Sequence, residues 1–106
     1  MSDTKPGRKV LGFPDPLRRR PPAEAQKLIR AALTAGRVGF CSHAREAMEE
    51  DALTSVEVEG ILRAGAVQEP ESEKGDWRYQ VRTQRACVVV AFRSDVEVVV
   101  VTVWRN

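Results

Sequence analysis

The amino-acid sequence predicts an α+β fold, with N-terminal helices packed on a C-terminal antiparallel sheet of three to four strands. Two observations carry that expectation. Apolar residues recur every three or four positions between Ala25 and Leu62, and from about Ala66 the period changes to two. Turn signals fall where such a fold needs them. Gly36 and Gly65 stand at expected helix ends, and Gln84-Arg85 and Ser94-Asp95 separate apolar runs closely enough for hairpins.

Each element follows in chain order. Residues 1–22 hold five prolines and two glycines and read as a flexible basic tail, leaving 23–106 as one α+β domain. Ala25, Leu28, Ile29, Ala32 and Leu33 give a first helix over 23–35. Arg37–Cys41 reads as a short strand or extended link. Ser42 is placed to cap a second helix through Ala52, whose apolar face is Ala44, Ala47 and Met48. Thr54 followed by Glu57 is a capping-box signature, and Val58, Ile61 and Leu62 are the buried stripe of a third helix. Residues 66–70 suggest a strand, and Ser72–Asp76 a turn. Trp77, Tyr79 and Val81 alternate with Arg78, Gln80 and Arg82, which puts the two sets on opposite faces. The runs 86–92 and 96–104 are apolar on both faces, with Val98, Val100, Thr102 and Trp104 expected on one side and Val99, Val101 and Val103 on the other. Such strands belong at a sheet centre, or under cover from a homodimer or partner protein.

The 106 residues suit a single domain, and 42% of them are hydrophobic. No run is apolar for long enough to span a bilayer, and the N-terminus lacks the apolar core of a signal peptide, so a cytoplasmic protein is expected. The net charge of +2 is unevenly spread: residues 1–22 carry a net +4 and the rest a net −2. Basicity therefore belongs to the tail, where Arg18, Arg19 and Arg20 are candidate phosphate contacts. Cys41 and Cys87 lie in apolar runs and read as core thiols. They and the lone His43 show no metal-ligand spacing, so no metal or cofactor is expected.

His43 is the one histidine, in the first turn of the second helix beside Ser42. RNA cleavage by internal attack needs a group to take the 2′-hydroxyl proton, a cation for the phosphorane, and an acid for the leaving oxygen. Histidine suits the first or last task near neutral pH. Arg78 and Arg82 suit the second, with Arg85 nearby and Ser42 at a helix start that favours anions. Glu69 and Tyr79 are the remaining polar candidates. The structural alternatives stand beside these: a hydrogen-bonding histidine, solvated strand arginines, and a surface carboxylate at Glu69.

Phe40-Cys41-Ser42-His43-Ala44, the Thr54…Val58…Ile61-Leu62…Gly65 helix, Glu69, Arg78-Tyr79 and the strand ending Val101-Thr102-Val103 resemble a small bacterial family of unknown function among the RelE/ParE-like toxins, similar to MqsR-like mRNA interferases. The resemblance covers about residues 37–104. It implies a RelE/MqsR-like, microbial-ribonuclease-like fold and a metal-independent endoribonuclease of a type II toxin–antitoxin system. A cognate antitoxin and RNA, in some relatives ribosome-bound, would be the partners. It places His43, Arg78, Tyr79 and Glu69 at the catalytic site. One departure is chemical: Glu49-Glu50-Asp51-Ala52 stands where the family has a second arginine and a glycine, so the second helix is acidic. RNA contact then shifts to Arg78, Arg82, Arg85 and the tail. A non-catalytic protein-binding module, or a nucleic-acid-binding accessory protein, is the alternative on the same scaffold.

Overall fold

The computed structural model describes residues 18–106. In chain order its elements are α1 (Pro22–Ala35), β1 (Arg37–Phe40), α2 (Ser42–Glu50), α3 (Ser55–Ala64), β2 (Ala66–Val67), β3 (Glu71–Glu73), β4 (Asp76–Arg82), β5 (Ala86–Phe92) and β6 (Glu97–Arg105). The fold is α+β, but the sheet has six strands and is mixed, in the order β1-β6-β5-β4-β2 with β3 also on β4. The expected sheet of three to four antiparallel strands is corrected at two places.

The first is β1, which pairs in parallel with β6 from Arg37 opposite Glu97 to Phe40 opposite Val100. The second is β3, in the segment expected to be only a turn. Its Glu-Ser-Glu sequence has little intrinsic strand preference. Lys74 and Gly75 both adopt positive φ, 53° and 85°, as a two-residue hairpin turn requires. That turn folds Glu71–Glu73 back on Asp76–Arg78.

α1 starts on Pro22, whose missing N–H costs nothing at a first helical position. α3 has the expected capping box: the Thr54 hydroxyl accepts the Glu57 N–H at 3.1 Å, and the Glu57 carboxylate accepts the Thr54 N–H at 2.9 Å. The Thr54 N–H most of all, and the Thr54 hydroxyl donating to the same carboxylate at 3.2 Å, hold the Glu57 carboxyl below its usual range. α2 is shorter than expected, and Cys41 rather than Ser42 takes its N-cap position, without a side-chain cap.

One face of the sheet is covered. Tyr79 and Val81 of β4, Val88, Val90 and Phe92 of β5, and Val98, Val100 and Val103 of β6 join Ala25, Ile29, Val58 and Leu62 in a single core. The β6 residues do not keep simple alternation. Val89 pairs with Thr102 and Val90 with Val100, so Val101 is an inserted bulge residue. The bulge corrects the expected faces. Val100 and Val103 both enter the core, while Thr102 and Trp104 join Val99 on the opposite face. The central position of β5 accounts for its apolar pattern. Cys87 and Val89, on its open-face side, are buried by their own chain.

α2 runs beside β6 beyond the end of β1. The Cys41 N–H donates to Val100 O at 3.2 Å, and the Arg105 N–H donates to Asp51 Oδ2 at 2.7 Å. A helix thus continues the edge that β1 begins. The Arg105 guanidinium also donates to the carbonyls of Asp51 and Ala52, closing the C-terminal end of α2. Among the described residues no helix is long and apolar enough to cross a membrane.

Two glycines of the third helix region test the packing. A Cβ at Gly65 would lie 2.8 Å from Ile61 O, 2.8 Å from Val81 Cγ1 and 2.9 Å from Arg82 O. Gly60, inside α3, has nothing within 4 Å of the same position. Urea unfolding should therefore show Gly65→Ala destabilised by about 1–3 kcal/mol and Gly60→Ala stabilised by about 0.5–1 kcal/mol.

Candidate functional site

The face of the sheet opposite the core carries Arg78, Gln80 and Arg82 on β4, Val89 on β5, and Thr102 and Trp104 on β6. A groove of about 390 Å³ opens there. His43, Glu69, Glu71, Glu73, Arg78 and Gln80 supply its polar lining, above Val89, Val101, Thr102 and Trp104. Three of the predicted catalytic residues, His43, Glu69 and Arg78, thus share one open groove although they come from α2, the β2–β3 link and β4.

Each arrives there for a local reason. The start of α2 is tied to the bulge, since the Cys41 N–H and Sγ–H donate to the carbonyls of Val100 and Val101, the thiol at 3.3 Å. The first turn of the helix therefore brings an exposed His43 beside Thr102 and Trp104. Arg78 is placed by strand alternation. Its side chain is 23% exposed and Nη2 lies 3.9 Å from Asp76 Oδ2, an ion pair at the limit of contact. Its Nε is buried with no hydrogen-bond partner. The guanidinium lines the groove, where its charge is available to an anionic ligand. Glu69 is 72% exposed and forms an ion pair with Arg19, whose guanidinium lies 5.8 Å from the Trp77 ring centre.

Other predicted residues lie elsewhere. Tyr79 is fully buried on the core side, its ring edge-on to Phe92, and its hydroxyl oxygen accepts the Arg20 N–H at 2.7 Å. Its expected catalytic place is corrected by the alternation that puts Arg78 on the other face. Arg20, expected on a flexible arm for RNA, is only 1% exposed, and its guanidinium meets Asp95 at 2.9 Å. The tail boundary at residue 22 is corrected with it: residues 18–20 are packed on the domain, and the reading of residues 1–17 lies outside the described residues. Arg18 forms an exposed ion pair with Glu24, which raises the Arg18 pKa. Arg82 borders the groove through Gln80, donating from Nε and Nη2 to Gln80 Oε1 at 3.1 and 2.8 Å. Arg85 lines a separate cavity of about 470 Å³ with Leu53, Glu57, Ile61 and Arg105. Ser42 is exposed as the first residue of α2 and is absent from the groove lining.

Sequence reasoning missed Glu71, Glu73, Gln80, Thr102 and Trp104 as site residues. Gln80 was legible, two positions from Arg78 on the same strand face. Thr102 and Trp104 were not, because the bulge shifts them across the sheet. The carboxylates change the electrostatics: three of them face one arginine and one histidine across the groove. Among the described residues no group of three or more His, Cys, Asp or Glu is arranged to hold a metal ion.

Residues 40–105, more than half of the chain, match the family model described as a domain of unknown function (DUF4258), and the chain belongs to that family. No curated protein and no solved structure matches it.

Burial pushes the Cys87 thiol up, against a smaller opposing effect of Arg82. The raised pKa leaves less thiolate at a given pH, and the thiolate is the reactive form. At pH 8 a disulfide reagent should therefore leave Cys87 unmodified in the native protein and label it on unfolding. Peptide mapping of the labelled protein checks this, and rapid native labelling of Cys87 would contradict it.

Proposed function

For a member of this family of unknown function, we propose an RNA-cleaving role: a toxin-like endoribonuclease acting without a metal ion, on the RelE/MqsR-like scaffold that the sequence resembles. The observation that carries the reading is the meeting of His43, Arg78 and Glu69 around one open groove on the uncovered sheet face.

The chemistry uses these groups in turn. A phosphodiester takes the place beside Arg78, where the Nη groups donate to its oxygens. One of His43 and Glu69 accepts the proton of the 2′-hydroxyl as its oxygen attacks the adjacent phosphorus. Arg78 offsets the charge that gathers on the phosphorane oxygens. The other group protonates the departing 5′-oxygen. The P–O5′ bond breaks, leaving a 2′,3′-cyclic phosphate and a 5′-hydroxyl. Gln80, anchored by Arg82, is placed to hydrogen-bond the base or ribose. A cognate antitoxin and, for mRNA, the ribosome are the partners this reading implies.

A second reading has its own observation. Glu69, Glu71 and Glu73 repel a polyanion and favour a cationic partner, so a non-catalytic module binding a basic protein segment fits the charge of the groove rim. The two readings differ in outcome on RNA. If the chain is a ribonuclease, inducing it arrests bacterial growth and the purified protein cuts RNA. His43→Ala and Arg78→Ala then each lower cleavage by roughly 100-fold or more with little loss of stability. Wild-type protein that neither arrests growth nor cuts RNA, with or without ribosomes, contradicts the enzyme reading.

A further inference from the structure

Arg20 is the one buried charged side chain among the described residues. Its guanidinium is 4.5 Å from the Phe92 ring centre, 2.9 Å from Asp95 Oδ1 through Nη2, and donates through Nη1 to Arg18 O at 3.3 Å. Nε lies 3.8 Å from Glu24 Oε2 without a hydrogen bond. Its backbone N–H is taken by Tyr79. Removing a guanidinium from water is costly, and an apolar side chain would hold a passing segment to the core as well or better. What the arginine adds is a fixed position. Asp95, Phe92, Tyr79 and Glu24 constrain Arg20 from four parts of the chain.

The neighbouring residue shows what that position serves. Arg19 reaches Glu69, a groove residue, and lies over Trp77. Without Arg19, an entering anion would meet Glu69, Glu71 and Glu73 with only Arg78 and His43 opposing them.

We propose that Arg18–Arg20 is a strap that completes the groove, with Arg20 as its buried pin and Arg19 as the counter-charge that screens Glu69 and so admits a phosphate to Arg78. Arg19 lessens the bias of the groove against anions. Arg20 is a positioning residue that acts through Arg19. The screening role rests on the phosphate reading above, whereas the docking of the strap can be read by itself.

The test uses the full-length protein and inorganic phosphate at low ionic strength, with NMR following the Arg78 Nε–H and the Gln80 side-chain amide. Arg19→Gln should weaken phosphate binding about threefold or more, and Arg19→Lys should restore it towards wild type. Asp95→Asn, which loosens the pin at a residue outside the groove lining, should weaken phosphate binding in the same direction. It should also speed trypsin cleavage after Arg18 and Arg19, while the folded core survives. Wild-type phosphate affinity in Arg19→Gln would overturn the screening role alone. Unchanged trypsin cleavage in Asp95→Asn would overturn the pin. A wild-type protein whose Arg78 and Gln80 signals ignore phosphate would overturn the phosphate reading and the screening role together, while the trypsin result still decides the strap.

Discussion

Val101 has no partner residue on β5, and the geometry of the groove depends on that extra residue. Up to Val100 the strand β6 alternates in step with β5; beyond Val101 the two sides are exchanged. Val103 therefore returns to the core and Thr102 and Trp104 reach the open face. The carbonyls of Val100 and Val101 are the acceptors that hold Cys41, the N-cap residue of α2. A strict ladder through this region would send Thr102 towards the helices. The bulge reconciles a fully apolar core side with a polar, histidine-bearing rim on the same strand.

The groove sets two electrostatic demands against each other. Arg78 lines the groove with only a distant carboxylate at Nη2, so its charge is weakly offset. Glu69, Glu71 and Glu73 oppose an anion. The conflict eases if Glu69 is occupied by Arg19, and the pinned Arg20 gives that contact a fixed origin. On this account Tyr79 matters to the site from behind the sheet. It shares a strand with Arg78 but faces the core, where it receives the N–H of Arg20. Tyr79 and Arg78 are adjacent in sequence and serve opposite layers.

Much of this was legible in the residues. The 3.6-to-2 change of period located the helices and β4 to β6, and Thr54 with Glu57 marked the start of α3 through a capping box that forms as expected. His43, Glu69 and Arg78 could be singled out as polar candidates, but their meeting around one groove depends on the fold. Besides the bulge, three features were hidden. A parallel partner for β1 is a long-range pairing with no local signature. The polar strand β3 owes its form to the Lys74-Gly75 turn and to the edge of β4 rather than to its own propensity. Arg20 sits in a proline-rich basic stretch whose composition says solvent, and only tertiary partners override it.

The reading turns on His43 and Arg78 serving one ligand in one groove. An NMR titration with a dinucleotide whose attacking 2′-hydroxyl is methylated, and which therefore cannot be cleaved, tests it most directly. The His43 ring, the Arg78 Nε–H and the Gln80 amide should shift together along one binding curve, while Arg85 in its separate cavity stays still. Shifts at Arg85 without Arg78, or His43 and Arg78 responding along different curves, would contradict it.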